Sequence, residues 1–178
     1  MDKAKAIKLL ILDVDGTLTN GVLYYGSNGH EMRGFHVHDG LGLKLLRKSG
    51  VAVAVISAKK SEVLTRRLED LKIEHVYLGY ENKLPAYEEI KNKLGLDDSQ
   101  IAYMGDDLPD LAPMMRAGFA ITVSKAAEIM HEHADYICQK KPGKGAVREA
   151  CEMIMKTQGT YQVMIQSYLG NADSKLAT

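Results

Sequence analysis

Two stretches of this chain, Ile7–Leu12 and Val51–Ile56, are apolar at every position except Lys8. A strand with one wet face alternates apolar and polar residues, so runs like these belong to strands buried on both faces. His75–Leu78, Ile101–Met104, Ala120–Val123 and Tyr136–Cys138 are shorter runs of the same kind. Helical patterns separate them. Asp39 can cap a helix that ends near Ser49 before Gly50, and Ser61 can cap one carrying Leu64, Leu68 and Leu71. Lys83–Leu94 stops at Gly95, Leu108–Ala117 stops at Gly118, and a last helix follows Gly145. This alternation predicts an α/β, doubly wound, mostly parallel sheet of Rossmann-like form. Such sheets collect their reactive groups at the carboxyl ends of the strands. Gly21–His36 breaks the alternation: Val22–Tyr25 and Glu31–His36 flank Gly26-Ser27-Asn28-Gly29, predicting a β-hairpin inserted directly after the first strand.

A length of 178 residues suits one core, which we place in residues 1–158, with the hairpin at 21–36 and a tail at 159–178 that lacks an apolar stripe. Twenty-three basic and 23 acidic residues cancel, so the basic excess expected of a nucleic-acid binder is missing. A net charge near zero also lowers the electrostatic barrier to self-association. Cys138 and Cys151 are too few for a disulfide scaffold and too far apart for a close metal motif. Buried, reduced thiols point to the cytoplasm. The first apolar run ends at Asp13, too early for a signal peptide or a membrane span.

Chemistry concentrates where the strands end. Asp13-Val14-Asp15-Gly16-Thr17 puts carboxylates at i and i+2 as a buried strand opens into a loop, so both can aim at one point. Two uncompensated carboxylates there would repel, and a magnesium ion removes the conflict. Gly105-Asp106-Asp107, with Asp110 three residues on, ends another strand in acids. Asp106 is the candidate metal ligand, with Asp107 and Asp110 supporting it from behind, although Asp107 can equally cap the next helix. Ser57 ends a strand and can donate its hydroxyl to a phosphate oxygen. Lys83 opens a helix, the wrong end for a cation in the helix dipole, which hints at an anion nearby. Gly143-Lys144-Gly145 before a helix can cradle an anion, with Arg148 one turn later as a substrate contact. His131 and His133 lie on different helix faces and make a poor zinc pair. His36 and His38 alternate on the second hairpin strand, as interface or rim residues do.

In order, and each at a strand end or just after one, Asp13-Val-Asp15-Gly16-Thr17, Ser57, Lys83 and Gly105-Asp106-Asp107…Asp110 resemble the haloacid dehalogenase superfamily of phosphotransferases. The resemblance implies that Asp13 attacks phosphorus and forms an aspartyl phosphate, and that Asp15 protonates the leaving alcohol and then activates water. It also implies that Mg²⁺ is held by Asp13, the Asp15 carbonyl and Asp106. Ser57 and Lys83 would steady the transferring oxygens.

Only 23 residues separate Asp15 from Asp39, enough for a hairpin but not for a folded cap. An uncapped site stays open to water unless the substrate is large or neighbouring subunits close it. Further stretches, Asn20–Tyr25, Phe35–Gly40, Gly79…Asn82-Lys83-Leu84 and Gly143–Glu149, are similar to a capless branch acting on an eight-carbon sugar-acid phosphate, an octulosonate, in lipopolysaccharide precursor synthesis. That branch implies homotetramers with hairpins in a central barrel and tails over neighbouring sites, and substrate contacts from Lys59, Asp39, Gly40 and Arg148. The chain has Ala58-Lys59 where the branch has Gly-Arg, and lysine lacks the planar two-point grip on a carboxylate. A nine-carbon keto-acid phosphate is therefore the rival substrate. A phospho-receiver module would phosphorylate an aspartate on the third strand rather than the first. A retired enzyme serving as a tetrameric scaffold would not need the full set of acid, hydroxyl and lysine.

Overall fold

The structure is a computed structural model, and it describes residues 2–169. Six strands form one parallel sheet in the order β5-β4-β1-β6-β7-β8: β1 (Leu9–Leu12), β4 (Ala52–Ser57), β5 (His75–Leu78), β6 (Ile101–Gly105), β7 (Phe119–Val123) and β8 (Tyr136–Cys138). The strand order reverses beside β1, whose residues Leu9–Leu12 pair with Ala52–Val55 on one side and Ile101–Met104 on the other. A centre strand of this kind opens a crevice at its carboxyl end.

Side chains along β1 alternate between two cores, as a strand with both faces covered requires. Leu10 and Leu12 join the core under α1 (Val37–Lys48), α2 (Glu62–Asp70) and α6 (Ala146–Thr157). Leu9 and Ile11 join the opposite one under α3 (Leu84–Leu94), α4 (Leu108–Arg116) and α5 (Glu128–His133). On α6 the buried pairs Ala146-Val147, Ala150-Cys151 and Ile154-Met155 recur every four residues, giving one apolar stripe. Both cysteines are free and buried. No helix among the described residues is long and apolar enough to cross a membrane.

The inserted hairpin is shorter than the sequence suggests. Only Tyr24–Tyr25 (β2) and Glu31–Met32 (β3) pair, antiparallel, because a two-stranded ribbon with no layer to cover it gains little from extension. His36 leaves the ribbon and becomes the N-cap of α1, which starts at Val37, so His36 and His38 do not alternate on a strand; their rings instead meet edge to face at 4.9 Å. Asp39 therefore does not cap α1. It is fully buried, and its carboxylate accepts hydrogen bonds from the backbone N–H groups of Gly145 (3.1 Å) and Arg148 (2.8 Å) at the start of α6. Beyond Gly159 the tail forms a seventh helix, α7 (Tyr161–Leu169), resting on the α1–α6 core through Tyr161 and Met164. The part of the predicted tail after residue 169 lies outside the described residues.

Candidate active site

Four loops converge at the carboxyl ends of β1, β4, β5 and β6. They line a cavity of about 290 Å³ with Asp13, Asp15, Ser57, Lys59, Lys83, Asp106, Asp107 and Asp110. Asp13 directly follows β1, and its backbone N–H donates to the Met104 carbonyl at 2.9 Å, which holds the residue against β6. The chain then turns sharply at Gly16, whose φ is +95°. A side chain there would be strained and would collide with the Asp106 carboxylate, so glycine is what lets the first loop press against the acidic one. Thr17 completes the contact by donating its hydroxyl to Asp106 at 3.2 Å.

Lys83 sits at the N-cap of α3 with its side chain 3% exposed. Its ammonium bridges Asp13 at 2.5 Å and Asp110 at 2.6 Å. Asp110 also accepts from the Tyr103 hydroxyl at 2.7 Å and the Asp106 N–H at 3.2 Å, so both its oxygens have donors. Ser57 ends β4, buried, and its hydroxyl oxygen accepts from the Lys59 N–H at 3.2 Å. Asp107 is the N-cap of α4, accepting from the Leu108 N–H at 2.8 Å.

Three of the predicted substrate contacts do not line this cavity. Asp39 is spent on the α6 cap, and Arg148 pairs with Glu152 at 2.6 Å. Gly40 serves helix packing, because a Cβ there would come within 2.6 Å of the Arg67 guanidinium and 3.0 Å of Leu71. Two residues that sequence reasoning missed do reach the site: Tyr103, described above, and Arg33, whose guanidinium lies 3.3 Å from Asp15. A larger cavity, about 600 Å³, opens at the far end of the sheet between α1 and Tyr168, remote from these acids.

The site carries more negative than positive charge. Burial first, then Asp110, push the Asp13 carboxyl up to about 8, even against the pull of Lys83. Burial and Asp110 likewise push Asp106 up to about 6, and burial raises Asp15 against the opposing effect of Arg33. Burial alone would lower the Lys83 ammonium, but Asp13 and Asp110 carry it above its ordinary value. Carboxylate oxygens of Asp13, Asp106 and Asp110 lie within 4.8 Å of one another, and Asp15 Oδ1 is buried with no hydrogen-bond partner. Hard oxygen donors crowded together and excess negative charge fit a hard divalent cation such as Mg²⁺.

In the metal-free protein, the folded state therefore keeps protons on Asp13 and Asp106 that the unfolded chain releases near its usual value of 3.8. These groups make folding less favourable as pH rises from about 4 to about 8, and a cation must displace their protons to bind. The rise in Tm on adding saturating MgCl₂ is accordingly expected to be larger at about pH 8 than at about pH 5.5. An equal or smaller rise at the higher pH would contradict this reading of the acids.

A six-stranded parallel sheet with acids after β1 and β6, a buried hydroxyl after β4 and a lysine opening α3 defines a haloacid dehalogenase-like hydrolase, and a profile of that family matches residues 73–150. The chain belongs, within that class, to the 3-deoxy-D-manno-octulosonate 8-phosphate phosphatases. It is 40% identical over 159 residues to the phosphatase of that name from Escherichia coli, covering 89% of this chain and 85% of that one. The Moraxella catarrhalis phosphatase, solved with magnesium, phosphate and the octulosonate, is similar at 44% identity and a TM-score of 0.92, covering 94% of this chain and 96% of that one. A cobalt-bound form from Haemophilus influenzae is similar at 38% identity and a TM-score of 0.90, covering 94% and 99%.

Proposed function

We propose that this chain is a magnesium-dependent phosphatase that converts 3-deoxy-D-manno-octulosonate 8-phosphate to the free sugar acid and phosphate in lipopolysaccharide precursor synthesis. The carrying observation is the meeting of Asp13 and Asp106 across β1 and β6, with Lys83 tying Asp13 to Asp110. Relatives acting on this substrate, over nearly the whole chain, support the choice of sugar acid.

In the first half-reaction an Asp13 oxygen attacks phosphorus and the bond to the sugar oxygen breaks, while Asp15 gives that oxygen its proton. In the second, Asp15 takes a proton from the water that attacks phosphorus, and phosphate leaves Asp13 unmodified. Ser57 and Lys83 donate hydrogen bonds to the phosphoryl oxygens, aimed where charge gathers. Asp110 holds Lys83 and is itself held by Tyr103. Asp110 already has donors on both oxygens, so Asp13, the Asp15 carbonyl and Asp106 are the natural magnesium ligands, with Asp107 capping the helix behind them. Bound magnesium supplies charge neutralisation on the phosphoryl oxygens and lets Asp13 stay ionised. Lys59, exposed at the cavity rim, is placed to meet the substrate carboxylate.

A cavity of about 290 Å³ is small for a phosphorylated eight-carbon acid, so neighbouring copies are needed to finish its walls. The hairpin supplies a surface for that assembly: Tyr24, Tyr25 and Met32 are 52%, 72% and 62% exposed. We place the chain in a homotetramer on this basis, and in the cytoplasm on its two free, buried thiols, with residues 159–178 as an appendage to the 1–158 phosphatase unit. Equilibrium sedimentation should give a species near four chains, and a monomer at micromolar concentration would contradict the shared site. The function itself is tested by phosphate release from eight- and nine-carbon keto-acid phosphates, with and without Mg²⁺. Faster, magnesium-dependent release from the octulosonate is expected. A preference for the nine-carbon ester would move the substrate, and release without metal would remove the mechanism.

A further inference from the structure

The hairpin also reaches into the site through a single side chain. Arg33 follows β3, and its side chain is 1% exposed, an expensive place for a guanidinium unless its neighbours use it. Those neighbours come from three separate segments. One terminal nitrogen lies 3.3 Å from Asp15 Oδ2, Nε lies 2.8 Å from a Glu31 carboxylate oxygen, and the other terminal nitrogen donates to Ser61 Oγ at 3.3 Å. Ser61 is the N-cap of α2, accepting from the Leu64 N–H, so the guanidinium is anchored both to the hairpin and to a helix end. A planar fork held at several points fixes the direction of what it grips.

What it grips is the carboxylate two residues beyond Asp13. Asp15 has Oδ2 beside Arg33, while Oδ1 is buried and has no hydrogen-bond partner. We infer that Arg33 is a positioning residue for the reaction: through its contact with Asp15 Oδ2, it fixes the orientation of the carboxyl that protonates the leaving oxygen. The inference rests on the phosphatase reading above. It also means that the hairpin, the segment proposed for assembly, carries part of the alignment of the catalytic acid.

The test uses two esters that need the acid to different degrees. An alkyl ester such as the octulosonate 8-phosphate must have its leaving oxygen protonated, whereas 4-nitrophenyl phosphate releases a stable phenolate with little help. In the full-length, magnesium-loaded Arg33→Met variant, kcat for the sugar-acid ester should fall on the order of 10²-fold, and that for the nitrophenyl ester by no more than about 5-fold. Arg33→Lys keeps the charge but not the fork, and should recover part of the alkyl-ester rate. If the Met variant does not fold, the Lys variant carries the test, with a smaller loss that is still selective for the alkyl ester. Equal losses on both esters, or none on either, would overturn the positioning role while leaving the phosphatase reading in place. A wild-type protein that releases phosphate from neither ester would overturn that reading, and this inference with it.

Discussion

An Asp13→Asn variant is expected to lose magnesium-dependent phosphate release by on the order of 10³-fold or more, because an amide oxygen cannot form the aspartyl phosphate. The variant should nonetheless fold. Burial and Asp110 hold the Asp13 carboxyl up to about 8 in the metal-free protein, so near neutral pH the folded state already favours an uncharged group there, and asparagine supplies one of the same shape. Lys83 keeps Asp110 as its partner at 2.6 Å. Thermal unfolding of the metal-free variant at about pH 7 should therefore match or exceed that of the wild type, within the few degrees a substitution of this kind produces. Lost activity with an unchanged Tm assigns Asp13 to the chemistry. A variant that retains more than about a tenth of the wild-type rate would remove it as the nucleophile.

Lys83→Met should damage both folding and turnover. The ammonium it removes is the shared partner of Asp13 and Asp110, whose side chains are 8% and 2% exposed. Taking the ammonium out leaves the buried Asp110 without its cation, which costs about 3–5 kcal/mol. Denaturant unfolding without metal should show a loss of that order, and saturating Mg²⁺ should restore part of it by supplying positive charge beside Asp13. Turnover should fall on the order of 10²–10³-fold, as it does when a donor to developing charge is removed. Metal-free stability equal to that of the wild type would show that the two carboxylates do not depend on Lys83.

The parts of this molecule written locally were legible in its sequence. Six strands lie where apolar runs stand, and five of those runs end in an acid, serine or glycine, since a strand buried on both faces cannot hide its composition. The hairpin falls between residues 21 and 36 because Gly26–Gly29 is a turn whatever surrounds it. The less visible features depend on partners far along the chain. Asp39 caps a helix whose N–H groups come 106 and 109 residues later, so its role could not be read from the segment around it. Arg33 meets Asp15 only because the hairpin folds back over the first loop. Tyr103 gave a usable signal: a tyrosine in an otherwise apolar, doubly buried strand needs a partner for its hydroxyl, and Asp110 is that partner. The helix Tyr161–Leu169 has no buried residues of its own, so its apolar stripe was too weak to announce it, and docking of Tyr161 and Met164 is what sustains it.

If phosphate passes through the Asp13 carboxylate, an acyl phosphate stands on that residue during turnover. Protein quenched during turnover of the octulosonate 8-phosphate with Mg²⁺ can be treated with borohydride, which reduces an acyl phosphate to the alcohol, and then mapped by peptide mass spectrometry. Reduction of residue 13 to homoserine is expected in a substantial fraction of chains, and none when Mg²⁺ or substrate is omitted. Reduction at another carboxylate, or none at any residue while phosphate is being released, would contradict it.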